Sequence, residues 1–245
     1  MLSTARQRLQ LDCGDMPIYA IGDIHGRHDL LQMAEYTIVR DAARLPGRKL
    51  IVALGDYIDR GPSSAQVISH LMAPPPENFD RICLTGNHEM MMLDYIDGNL
   101  SFSEWMRMGA DALLRSYGLD AEHLPLIFPT AAKLDGFIRQ SLPRAHIDFM
   151  RAMPILVDTP DVLFVHAGID PRFTLSEQSD EDLVFIRERF FDSGTPLPKL
   201  VVHGHTPRDE ADVQPKRLNL DTRAFKSGRL TVARLWRGRV HLFST

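Results

Sequence analysis

Short apolar runs rich in Ile, Val and Leu end, time after time, in a cluster of Gly, Asp, His or Asn. Ile18 to Ile21 stops at Gly22, Leu50 to Leu54 at Gly55, Ile82 to Leu84 just ahead of Gly86, Val162 to Val165 at His166, and Leu200 to Val202 at His203. Runs this short and this apolar suit buried strands. Between them the apolar residues take helical spacing, as in Leu30, Leu31, Ala34, Ile38 and Val39, or Val67, Ile68, Leu71 and Met72, with Pro62 as an early helical residue. Alternating strand and helix predict an α/β sheet, and polar clusters at the carboxyl ends of strands are where such sheets hold ligands.

Two parts of the chain depart from this rhythm. Arg217 to Leu220, Leu230 to Leu235 and Arg239 to Phe243 read as strands joined by short turns, which predicts a second, antiparallel sheet beside the first. The segment from about 90 to 151 carries helical patterns, Phe102 to Tyr117 and Ile147 to Met153 among them, and no comparable polar cluster. It is expected to be a helical cap or insertion within a single domain over 1–245, a length that one hydrophobic core can still organise.

Composition narrows the partners. A formal net charge of −4 gives no basic footprint for a nucleic-acid backbone. Two cysteines, Cys13 and Cys83, are too few for a disulfide framework and point to a reducing compartment. Residues 1–15 lack the apolar core of a secretory signal, and no run of 18 apolar residues occurs. The expectation is a soluble cytoplasmic protein with neither a nucleic-acid nor a membrane partner; nothing in the sequence speaks to its oligomeric state.

The chemistry lies in the clusters themselves: Gly22-Asp23-Ile24-His25-Gly26, Gly55-Asp56-Tyr57-Ile58-Asp59-Arg60-Gly61, Gly86-Asn87-His88-Glu89, His166-Ala167-Gly168 and His203-Gly204-His205-Thr206. Imidazole, carboxylate and amide oxygen are ligands for divalent ions such as Mn, Fe, Zn or Ni, with Mn the first expectation. Asp23 and His25 can point at one ion, Asn87, His166 and His205 can hold a second, and Asp56 has two oxygens with which to bridge them. Two dications against two carboxylates leave a positive centre that attracts a phosphate dianion, and such a pair activates a water for direct in-line attack without a phosphoenzyme. The leaving oxygen needs a proton. His88 is the candidate acid, Asp59 the carboxylate that orients it, and Arg60 a fork for phosphate oxygens.

These motifs resemble the phosphoprotein phosphatase family, whose pattern runs GDxHG, GDxxDRG, GNHE, a lone histidine and a later one. The sequence has GDIHG, GDYIDRG, GNHE, HAG and GHT, and the likeness extends from Ile18 to about Leu235, closest to the bacterial and bacteriophage lambda-type branch. The resemblance implies a calcineurin-like metallophosphoesterase fold, a two-sheet β-sandwich flanked by helices. It implies metal ligands at Asp23, His25, Asp56, Asn87, His166 and His205, and catalytic roles at His88, Asp59 and Arg60. It adds Arg187, in the stretch where lambda-type members carry a second phosphate-binding arginine, with Arg189 as the alternative. His203 is expected behind the ligands, or as a ligand itself. His28, His70, His123, His146 and His241 have no motif around them and are expected at the surface or in packing.

The expected activity is that of a protein serine/threonine phosphatase acting on phosphoproteins or small phosphomonoesters. Hydrolysis of diadenosine tetraphosphate is the enzymatic alternative. Relatives with that activity tend to lose the aspartate of the second motif and read GNHD, whereas Asp59 and Glu89 are both present here. A regulatory module on the same scaffold, without activity, is the alternative of another class.

Overall fold

Strand and helix alternate from the start of the computed structural model, which describes residues 5–245. A short β1 (Arg8–Gln10) precedes β2 (Ile18–Ile21), α1 (His28–Ala42), β3 (Lys49–Ala53), α2 (Ser64–Met72), β4 (Phe79–Cys83) and α3 (Asn87–Asp97). Helices α4 (Phe102–Met106), α5 (Ala110–Ser116), α6 (Leu124–Ile127), α7 (Ala131–Ser141) and α8 (Arg144–Ala152) follow. The chain then runs through β5 (Leu156–Asp158), β6 (Val162–Val165), α9 (Asp180–Phe185), α10 (Glu188–Phe191) and β7 (Leu200–His203). It closes with β8 (Asp212–Gln214), β9 (Arg217–Asn219), α11 (Ala224–Ser227), β10 (Thr231–Trp236) and β11 (Arg239–Ser244). Among the described residues no helix is long and apolar enough to cross a membrane.

Two mixed sheets face each other, one in the order β1-β5-β6-β7-β9-β8 and the other β11-β10-β2-β3-β4. β2, β3 and β4 are parallel neighbours, with Ile18 opposite Leu50 and Leu50 opposite Asp80. Side chains alternate across a strand. So Ile18, Ala20, Leu50 and Val52 enter the layer between the sheets, while Tyr19, Ile21, Ile51 and Ala53 pack under the helices. Both faces of Ile18–Ile21 and of Leu50–Ala53 are covered, which is why those runs are apolar without a break, whereas β4 at the sheet edge exposes Asp80. Burial of each such Val, Leu or Ile side chain contributes about 1.5–3 kcal/mol.

The division into sheets differs from the sequence expectation. β9 lies parallel to β7, in the sheet that carries His166 and His203, while the other sheet is extended by β10, antiparallel to β2, and by β11, antiparallel to β10. The physical reason is visible in β10. Val232 packs under the helices, Ala233 and Leu235 pack between the sheets, and a strand apolar on both faces belongs inside a sheet covered on both sides. Apolar pattern reports how many faces a strand buries, not which neighbour it takes. Pro62 also falls in the turn ahead of α2 rather than within the helix.

Segment 90–151 packs into the apolar cluster that already holds α1 and α2, through Trp105, Leu113, Leu114, Leu134, Ile138 and Met150 among others. Trp105 is fully buried and stacks on Tyr95 with ring centroids 4.4 Å apart. The helical pattern from Phe102 to Tyr117 is broken into α4 and α5 at Gly109, where φ is +90°. That turn, at Met108 and Gly109, brings the segment to the rim of the polar cleft described next.

Candidate active site

The polar clusters converge at one end of the sandwich on a cleft of about 270 Å³, lined by Asp23, His25, Asp56, Arg60, Asn87, Met108, Phe185, Arg187, His205 and Pro207. Each strand delivers its cluster by turning sharply at its carboxyl end. Among the described residues eight non-glycine positions have positive φ, and five of them are His25, Asp56, Asp59, Arg60 and His205. A left-handed residue other than glycine costs about 1–2 kcal/mol, and such costs gather where a site dictates geometry. Crowding adds a second constraint. A Cβ at Gly204 would lie 1.9 Å from Asp23 Oδ1, and one at Gly86 2.3 Å from Asp56 Oδ1. Both glycines exist to let a backbone pass against a carboxylate.

Asp56 is the hub. Its Oδ2 lies 3.5 Å from His25 Nε2 and its Oδ1 3.3 Å from His166 Nε2. Asn87 Oδ1 lies 3.0 Å from His166 Nε2 and 2.8 Å from His205 Nδ1. Two groups of donor atoms therefore share Asp56: His25, Asp56 and His88 on one side, and Asp56, His166 and His205 on the other, with donor atoms within 4.8 Å in each. Asp23 lines the same cleft, its carboxylate accepting from the His205 backbone N–H at 3.1 Å.

These residues fit divalent cations on their own chemistry. His25 and His166 donate Nδ1–H to the main-chain carbonyls of Ile58 and Leu54, at 2.9 and 2.8 Å. A carbonyl only accepts, so in the neutral rings Nε2 carries the lone pair. The rings are neutral at pH 7, because burial lowers the pKa of His166 and brings His25 down to about 3. Two lone pairs thus confront the Asp56 carboxylate across hydrogen-bond distance, an arrangement that repels unless a cation lies between. Asp23 tells the same story: burial first, then the charges of Asp221 and Asp56, push its carboxyl well above the ordinary range. Cations at the two donor groups would relieve these contacts.

His88 sits at the edge of the first group, fully buried. Its Nδ1 is 2.7 Å from Asp59 Oδ2, and its Nε2 receives a hydrogen bond from Arg60 Nη2 at 3.1 Å. Burial works against protonation of this ring, but Asp56 and Asp59 outweigh it and the net shift is upward. The second arginine also reaches the cleft. Arg187 lines the cleft and donates from Nε to His205 Nε2 at 3.2 Å. Arg189 points elsewhere, paired with Asp170 at 3.2 Å and with Asp182.

His203 does not join the ligands. Its ring packs edge-on against Phe190 at 5.1 Å, and its Nδ1 meets the Gly204 carbonyl at 2.9 Å. His28, His70, His123, His146 and His241 lie outside the cleft lining. Three contributors were given no role in the site by the sequence. Glu89 accepts from the backbone N–H groups of Asp56, Tyr57 and Gly86, all at 2.8–2.9 Å, and so ties the second cluster to the third. Burial first, and Asp56 next, raise its pKa to about 7. Asp221 is a further buried carboxyl beside Asp23, raised to about 6 mainly by burial. Phe225 stands edge-on to His25 at 5.4 Å and lies under the Arg60 guanidinium at 5.1 Å.

Comparison with known proteins agrees with this geometry. The family model described as calcineurin-like phosphoesterase matches residues 16–233. The chain is 29% identical over 161 residues to a symmetrical bis(5'-nucleosyl)-tetraphosphatase of Dechloromonas aromatica, covering 66% of this chain and 47% of that protein. It is 35% identical over 97 residues to serine/threonine-protein phosphatase 2 of Escherichia coli, covering 38% of each. A zinc-dependent endopolyphosphatase of Saccharomyces cerevisiae is 27% identical over 161 residues, covering 62% of this chain and 46% of that protein. The matches thus span less than half the length of each of these relatives. Among solved structures, a candidate diadenosine tetraphosphatase superposes with a TM-score of 0.67 at 20% identity, over 98% of both chains. A protein serine/threonine phosphatase from Saccharomyces cerevisiae gives 0.55 at 16% identity, over 98% of this chain and 84% of that one.

Proposed function

The chain belongs to the calcineurin-like phosphoesterase family, and from that premise we propose that it hydrolyses phosphate monoesters, with phosphoserine and phosphothreonine side chains as its substrates. The observation that carries the reading is the buried His88–Asp59 pair, 2.7 Å apart, set between the shared carboxylate Asp56 and the guanidinium of Arg60. An alkoxide leaving group needs a proton, and this pair is built to hold one beside a phosphate contact.

Asp23, His25 and Asp56 would hold one divalent ion, and Asp56, Asn87, His166 and His205 a second, with Mn the metal proposed. Such ions supply Lewis acidity toward phosphoryl oxygens and lower the pKa of a water. The chain's own residues do the rest. Arg60 and Arg187 both line the cleft and clamp the phosphoryl oxygens, which sets the ester for in-line displacement. Asp59 fixes the His88 ring by accepting from Nδ1–H. Nε2, which accepts from Arg60 at 3.1 Å in this structure, would deliver a proton to the departing oxygen once the ring is protonated and the guanidinium has turned to the phosphate.

The size of the cleft favours a monoester on a surface. At about 270 Å³ it falls just below the roughly 300–1,000 Å³ typical of pockets that enclose a drug-sized ligand. It takes a phosphoryl group and the atoms next to it, and the remainder of the substrate lies across Met108, Phe185 and Pro207 at the rim. Hydrolysis of diadenosine tetraphosphate is the second reading, favoured by the Dechloromonas aromatica relative. Steady-state rates on a phosphoserine peptide and on diadenosine tetraphosphate, measured on one Mn-loaded sample, separate the two. The peptide is expected to show the higher kcat/KM by at least about tenfold, equivalent to 1.4 kcal/mol of transition-state binding; the reverse order would transfer the assignment to the dinucleotide.

A further inference from the structure

The helices that follow α3 come to the cleft at Met108, and beside it Gly109 touches the backbone of Arg60. Asp59 and Arg60 are consecutive left-handed residues, at φ +67° and +63°, and each has its N–H held from outside. Ser64 Oγ accepts from Asp59 at 3.0 Å, and the carbonyl of Gly109 accepts from Arg60 at 3.1 Å. Gly109 is itself left-handed, at φ +90°, and a Cβ there would stand 3.1 Å from Arg60 Cγ and 3.4 Å from Arg60 N. The turn is anchored on the buried Trp105, whose carbonyl accepts from the Met108 N–H at 3.0 Å.

From this geometry we infer that Gly109 is a positioning residue for Arg60: it fixes the backbone from which the guanidinium reaches phosphate. The inference rests on the reading of Arg60 as a phosphate contact. The guanidinium has little other support, standing over the Phe225 ring at 5.1 Å and 3.1 Å from His88 Nε2, so its aim depends on where its backbone is held. A side chain at Gly109 presses on Cγ, tilts the fork and weakens binding of the phosphoryl group. The three atoms nearest to a Cβ at Gly109 all belong to Arg60, so the substitution acts first on that residue and not on the donor groups for metal.

The test is a double-mutant cycle on the full chain. Gly109→Ala is expected to raise both KM for an aryl phosphate and the inhibition constant of inorganic phosphate by about 5- to 30-fold, with bound Mn unchanged. In an Arg60→Ala background the same substitution should change neither constant further. Gly118→Ala serves as the control, since Gly118 is also left-handed, at φ +79°, in the same segment, with nothing within 4 Å of its would-be Cβ. It should leave both constants at wild-type values. If Gly109→Ala fails to fold, Gly109→Asn tolerates the left-handed backbone and should show the same rise in both constants. Equal effects with and without the Arg60 guanidinium, or an equal effect at Gly118, would overturn the inference. An Arg60→Ala variant with both constants unchanged would instead remove the phosphate-contact reading on which it rests.

Discussion

Chelation is expected to take hydrolysis of a chromogenic aryl phosphate down to background, and added Mn²⁺ to bring it back. The expectation follows from what the cleft lacks. Among the described residues no serine, cysteine or threonine lines it, and His25 and His166 have their lone pairs inward on Asp56 rather than on a hydroxyl or thiol. Two divalent ions would satisfy those lone pairs and also supply the polarisation that the protein groups cannot. Activity measured after dialysis against chelator, and again after graded metal addition, checks this. Hydrolysis that continues with less than one ion per chain would remove the two-metal reading.

His88→Asn is expected to lower kcat on a phosphoserine peptide by roughly 10²- to 10⁴-fold, the span of general acid catalysis. Asparagine keeps a polar group near Asp59 but cannot carry a proton to the leaving oxygen. The loss should shrink for an aryl ester with an acidic phenol, whose leaving group departs without protonation. That dependence on the leaving group is the diagnostic readout, because a merely structural defect would slow both substrates alike. Metal content is the second readout. His88 stands within the first donor group, with its Nε2 3.9 Å from Asp56 Oδ2. A variant that loses an ion would show that the ring is a ligand and not the acid.

The parts of the fold and site that were legible in the sequence share one cause: a strand buried on both faces must be apolar throughout, so its end is marked by the first polar residue. The turns after β2, β3, β4, β6 and β7 were therefore visible as clusters, and Asp23, His25, Asp56, Asn87 and His205 meet in the cleft those clusters build, with His166 beside them. Strand partnership was not legible. β9 and β10 are close in sequence and similar in pattern, yet they join different sheets because α11 carries the chain from one to the other. Arg187 and Arg189 are two residues apart around the start of α10, and spacing cannot separate them. The structure does so by giving Arg189 the carboxylates of Asp170 and Asp182 and leaving Arg187 to the cleft. The role of Glu89, and Asp221 altogether, were hidden for another reason. Glu89 acts on backbone N–H groups of another segment, and Asp221 acts by charge on Asp23, a neighbour in space only. Gly109 stood inside an unbroken helical pattern, where the one available signal was a glycine in mid-helix.

The shared carboxylate offers the most direct test. Metal-free protein is titrated with Mn²⁺ and the bound ions are counted by elemental analysis, for the wild type and for Asp56→Asn. Two ions per chain are predicted for the wild type, with affinity lost at both sites in the variant, since the two oxygens of Asp56 face the two donor groups. A single ion in the wild type, or an Asp56→Asn variant that still holds two tightly, would contradict a binuclear centre built around this residue.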